Sequence, residues 1–142
     1  MKINIFKIAL SLVVILSSCS KDDDTSSSKI NGTWEVVSYE TRQGNLEWEA
    51  SSEICRLDDV EEYESNGDWT KYDGTNQCSA GTGITTGTWK LKANNTKIVY
   101  TYDDYSGEYE STVEQLTDNI MVISWSAGDL NNTQYRVTYS KN

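Results

Sequence analysis

From position 30 onward, apolar and polar residues alternate in short runs, and no stretch repeats its apolar residues at helical spacing. Alternation puts every second side chain on one face of an extended strand, so each run has a face to bury and a face to wet. Residues 32–39 make the first run, dense in β-branched and aromatic side chains. Residues 40–52 carry only Leu46 and Trp48 as large apolar residues and read as a long loop with room for one helical turn. Residues 54–64 and 68–72 flank Ser65-Asn66-Gly67, and Asn-Gly between two runs is a strong hairpin signal. A glycine-containing loop spans 73–86, with strands expected at 87–92 and 97–102 on either side of Asn94-Asn95. Residues 108–116, 119–126 and 133–139 complete the set. Eight short strands with no convincing helix predict an all-β fold. An up-and-down antiparallel barrel gives such strands one core and leaves no free edge. Gly-Thr-Trp occurs at Gly32 and again at Gly87, but the flanking residues differ, so two strands start alike without a duplication.

The first 18 residues are of another kind. Lys2 and Lys7 precede an apolar run, 8–16, broken only by Ser11, and small residues then lead to Cys19. That is the layout of a secretory signal peptide, and the run is too short to span a bilayer. Removing 1–18, which holds two lysines and no acid, takes the formal charge from −10 to −12. A surface this negative repels nucleic acid and anionic headgroups and discourages self-association, so a monomer with no nucleic-acid partner is expected.

Three cysteines are an odd number for an exported chain. Cys19 ends the leader and has a separate role. Cys55 and Cys78 then form an even pair in an oxidising compartment. A bridge would close a loop of 24 residues and contribute roughly 3 kcal/mol on the chain-entropy account. Two buried free thiols are the alternative.

Leu16-Ser17-Ser18-Cys19 resembles the lipobox of bacterial lipoproteins. The resemblance implies cleavage before Cys19 and acylation of that residue with palmitate-type chains. Several chains together give durable membrane anchoring where one holds only marginally. Lys21 with Asp22-Asp23-Asp24 is similar to the surface-export signal of Bacteroidetes lipoproteins, which implies display on the outer face of the outer membrane. Residues 19–29 read as a lipidated flexible tether of Asp, Ser, Thr and Lys.

Residues 30–142 resemble the lipocalin-like domains of Bacteroidetes lipoproteins. The features that carry this are Gly32-Thr33-Trp34 opening the first strand, Cys55 before the acidic Asp58-Asp59, and the Asn66-Gly67 turn. Cys78, Gly87–Trp89 and Leu116-Thr117 follow in the same order. The resemblance implies a small calycin-type barrel of eight strands. Ligand carriers of the broader family cap the first tryptophan with an arginine near the last strand, and the candidate here is Arg136.

With no histidine, Ser-His triads and most zinc sites are excluded, and no catalytic residue, metal or cofactor is expected. Asp59 and Glu61 fall on one face of a strand and could be paired acids of a glycosidase. A solvated outer face is the expected role for this acidic run. Trp34, Trp89, Tyr100, Tyr102, Trp125 and Tyr139 fall on strands where they could face inward, either filling the core or lining a pocket for a small apolar ligand. Trp48 and Trp69 lie on or beside loops and could form an outward patch. The expected protein is therefore a surface-anchored, non-enzymatic barrel that binds a small apolar molecule. The alternative is an interaction module that binds protein or glycan through its loops.

Overall fold

The computed structural model of the chain describes residues 24–142 apart from 79 and 81. The expected leader (1–18), Cys19 and the Lys21–Asp23 cluster lie outside the described residues. Nine antiparallel strands follow one another: β1 (Gly32–Gln43), β2 (Glu49–Ala50), β3 (Val60–Tyr63), β4 (Asp68–Tyr72), β5 (Ile84–Lys92), β6 (Lys97–Tyr102), β7 (Glu108–Leu116), β8 (Ile120–Ser126) and β9 (Thr133–Lys141). β1 pairs with β9 along its length, so β1 and β3–β9 close into the expected up-and-down barrel of eight strands. β2 adds two residues to the upper part of β1, at Glu40 and Thr41, above the point where β3 leaves it.

The barrel has two unlike poles. Short turns at 63–68, 92–97 and 116–120 share one pole with a helix, α1 (Asp24–Ile30). The long connections 43–60, 72–84, 102–108 and 126–133 share the other. Residues 24–29, expected as part of a flexible tether, are helical because tertiary contacts fix the end of α1. Ile30 is fully buried, its carbonyl accepts the Trp34 Nε1–H at 2.6 Å, and the Lys29 carbonyl accepts from Lys141 Nζ at 2.8 Å. Trp34, Tyr63, Ile98 and Met121 fill this closed pole.

Three strand boundaries differ from the alternation pattern by three residues or more, each for a physical reason. β1 runs on to Gln43 because polar pairs across the β1–β9 seam hold it. Arg136 donates twice to Glu40 at 2.8 and 2.9 Å, and Arg42 donates twice to Gln134 Oε1 at 2.9 and 2.6 Å. A bulge at Val37 flips the parity of β1, so Trp34 and Val36 point inward and then Tyr39 does. Residues 54–56 form a 3-10 turn, not the start of β3. Here the chain folds over the barrel mouth, bridged from Cys55 to Cys78 with Cα atoms 5.3 Å apart. The carboxylates of Asp58 and Asp59 take the backbone N–H groups of Asn76 and Gly74, which docks the 73–83 loop against the same turn. Strand β5 begins three residues early, at Ile84, in register with Tyr72.

Two glycines are required where they stand. Gly67 closes the β3–β4 hairpin at φ +94°, with its carbonyl accepting from Trp89 N. At Gly87 the backbone of β6 approaches so closely that a Cβ would collide with the Thr101 carbonyl.

Candidate functional site

Above the packed closed pole the barrel holds a cavity of about 510 Å³ that opens among the long connections. Two aromatic walls enclose it. On one side Tyr39, Trp125 and Tyr135 form a triangle with ring centroids 5.5–6.1 Å apart, Trp125 stacked on Tyr135. On the other, Trp69 meets Tyr100 and Tyr102 at 5.1 and 5.4 Å, and Tyr102 meets Tyr109 edge-on at 4.9 Å. Inward parity on β4, β6, β7, β8 and β9 puts these rings on the interior face.

The floor is polar. Glu61 sits between the walls, only 6 % exposed. Its carboxylate accepts the Tyr139 hydroxyl at 2.8 Å on one oxygen, and the Tyr63 hydroxyl (2.6 Å) and Trp69 Nε1–H (3.0 Å) on the other. Tyr63 has spent its hydrogen on Glu61, so Tyr100 donates to the Tyr63 oxygen at 2.8 Å. Burial, and then the nearby Glu61 charge, push the hydroxyls of Tyr63, Tyr100 and Tyr139 well above the ordinary tyrosine range, so they act here as neutral donors.

Near the mouth the charges are paired. Lys71 lies 2.8 Å from Asp59 and also pairs with Asp73. Burial alone would lower its pKa, but hydrogen bonds to those two carboxylates outweigh it and raise it. Arg56, carried on the 3-10 turn, pairs with Glu53 at 2.5 Å and lies 5.5 Å over the Tyr39 ring. The bridge at Cys55 therefore fixes the residue beside one that lines the cavity.

The structure brings four of the six aromatic candidates to this cavity: Tyr100, Tyr102, Trp125 and Tyr139. Trp34 and Trp89 sit below it in the closed-pole core, their indole N–H groups held by the carbonyls of Ile30 and Glu64. Tyr39, Tyr109 and Tyr135 also line the cavity and were not singled out from the sequence. Asp59 and Glu61, expected on a solvated face, are instead buried inside. The signal was present in their parity with Tyr63 on β3, whose partner across the ladder is the inward Trp69.

Two further expectations need correction. Trp69 is buried in the barrel and cannot belong to an outward patch. Trp48 is half-buried, with the guanidinium groups of Arg42 and Arg136 at 4.3 and 4.5 Å from its ring. Arg136 is thus committed to Trp48 and Glu40. The cation over the first tryptophan is Lys141, 5.1 Å from the Trp34 ring.

A closed antiparallel barrel, packed at one pole and hollow at the other, with a floor of hydrogen-bonding groups, is an architecture with room for a small ligand. Residues 30–123 match the Lipocalin-like domain family. The chain belongs to that family. Folds of this kind are generally those of non-enzymatic binding proteins and support a ligand-binding role. Among solved structures, a lipocalin-like protein from Bacteroides uniformis is similar at 14 % identity and TM-score 0.50, covering 80 % of this chain and 99 % of its own. A DUF4847 family protein from Bacteroides vulgatus is similar at 12 % identity and TM-score 0.50, covering 80 % of this chain and 94 % of its own. These likenesses are of fold. No curated protein matches the sequence.

Proposed function

We propose that the protein is a lipid-anchored binding protein of the bacterial outer surface, without catalytic activity, that holds a small and largely apolar ligand in the barrel mouth. The observation that carries the binding role is the aromatic-walled cavity of about 510 Å³, a volume suited to a drug-sized molecule. The anchoring role rests on the lipobox-like segment ending at Cys19, a few residues before α1. α1 lies at the closed pole, so an anchor at Cys19 would join the barrel from the pole opposite its mouth.

N-phenyl-1-naphthylamine, a neutral probe that fluoresces in apolar surroundings, tests the binding role. It should bind with one-to-one stoichiometry, quench tryptophan emission and raise the melting temperature, because a ligand of the native state alone stabilises it. Trp125→Leu should weaken it. An unchanged emission spectrum at saturating probe would refute the binding role. For the anchor, Cys19→Ser should abolish palmitate labelling and release the protein from the membrane fraction; retention there would refute it.

A second reading has its own observation. Leu46, Ile54, Leu57, Ile84, Tyr105 and Leu130 are exposed, and all lie on or at the ends of connections at the open pole. Loops that carry apolar side chains into solvent suit contact with a partner protein or glycan. Substituting Leu130 and Ile54 by Ser would abolish such contact while leaving probe binding in the cavity intact.

A further inference from the structure

The acids and bases of the cavity do not balance. Glu53, Asp59, Glu61 and Glu110 line it, against Arg56 and Lys71 alone, and Glu110 is met from outside the lining by Lys97 at 3.2 Å. Both cations are already taken: Arg56 by Glu53, and Lys71 by Asp59 together with Asp73. Among the described residues no lysine or arginine forms an ion pair with Glu61. Its three donors are the neutral groups of Tyr63, Trp69 and Tyr139. Hydrogen bonds of this kind hold a carboxylate in place and leave its charge uncompensated. A carboxylate also has about four acceptor positions, so three donors, two on Oε2 and one on Oε1, leave one unused on Oε1.

The walls complete the pattern. The faces of aromatic rings carry negative potential and attract a cation, most strongly where water is excluded. Trp125 and Tyr135 on one side and Trp69, Tyr100 and Tyr102 on the other line the same cavity as Glu61. An anionic amphiphile, a fatty acid for example, would bring its head toward the buried and ion-unpaired carboxylate of Glu61, and like charges in a low-dielectric site repel. A purely apolar ligand would leave the fourth acceptor position of Glu61 unfilled. The formal charge of the whole chain, −10, also steers cations toward it.

We propose that the cavity selects a primary or secondary amine, protonated at neutral pH and carried on a flat apolar body, with its N–H groups donated to Glu61. This rests on the binding role proposed above and adds the class of ligand to it.

Three probes of nearly one shape test it on the full-length protein by calorimetry at low salt: tryptamine (cation), tryptophol (neutral) and indole-3-propionate (anion). Tryptamine should bind at least tenfold more tightly than tryptophol, and indole-3-propionate more weakly than either. Glu61→Gln keeps the size and an acceptor oxygen for Tyr63 and Trp69, while the Tyr139 hydroxyl can turn to accept from the new amide. That variant should bring the ratio of tryptamine to tryptophol affinity close to one. Trp125→Leu should weaken all three probes. The wild-type ranking needs no variant to fold. Indole-3-propionate binding as tightly as tryptamine would overturn the selectivity, as would a folded Glu61→Gln protein that keeps the tryptamine preference. If N-phenyl-1-naphthylamine binds and none of the three indoles does, the amine assignment fails and the binding role stands. If neither it nor any indole binds, both fail.

Discussion

The ammonium of Lys141, in the last strand, lies 5.1 Å from the ring of Trp34, near the start of the first, and donates to the Lys29 carbonyl at 2.8 Å. One side chain thus ties β9, β1 and the end of α1 together. Lys141→Met removes the cation over the ring and the hydrogen bond, at a cost of about 1–2 kcal/mol. Lys141→Arg, which keeps the charge, should recover most of it. Urea unfolding with a shared m-value reads the difference, and equal losses in the two variants would refute the cation's role.

The bridge between Cys55 and Cys78 closes a sequence separation of 23 residues. Cys55→Ala/Cys78→Ala should lower stability by roughly 3 kcal/mol. Guanidinium unfolding with and without reductant checks this. Reductant should shift the wild type and leave the double variant where it is.

Glu61→Ala leaves three buried donors facing a void. Two are hydroxyls that can rotate, but the Trp69 N–H has no second partner, and the cost should be about 3 kcal/mol or more. Tyr139→Phe removes one donor and keeps the carboxylate, so a loss near 1 kcal/mol is expected. Thermal unfolding of the two variants side by side measures the ratio.

Alkaline pH should unfold the protein through its interior tyrosines. Tyr63, Tyr100 and Tyr139 are raised well above the ordinary tyrosine value by burial and then by Glu61. Their contribution is fully present below about pH 10, the value in the unfolded chain. Above it the unfolded chain has released protons that the native state keeps, so stability falls with each further step of pH. Melting temperature between pH 8 and 11 should fall only in the upper part of that range, and Tyr100→Phe should flatten the fall.

The barrel was legible because its strands alternate, and an alternating strand reveals its inward face. That rule found Tyr100, Tyr102 and Tyr139, and it put Asp59 and Glu61 on one face correctly. It failed on which face, because a buried carboxylate goes against the usual cost of burying charge. The register of β3 with β4, which brings Tyr63 opposite Trp69, shows two of the three donors that offset part of that cost. Tyr39 was missed for another reason: the bulge at Val37 flips the parity of β1 just before it. The segment 54–56 is set by a bridge and by carboxylates that bind a distant loop, and no local pattern encodes contacts of that range.

The seam between β1 and β9 has one more consequence. Asn142 N donates to the Thr33 carbonyl, so the final strand finishes beside the start of the first, at the pole of α1. The four long connections lie at the other pole, away from α1 and from the β1–β9 pairing at Thr33. Changes in their length or sequence need not disturb the seam or the closed-pole core. Mutational tolerance should be polarised accordingly, low around Trp34 and Ile30 and high in the long connections outside the Cys55–Cys78 bridge and the docking carboxylates of Asp58 and Asp59. Such a scaffold can diversify what it recognises while the half that keeps it folded stays fixed.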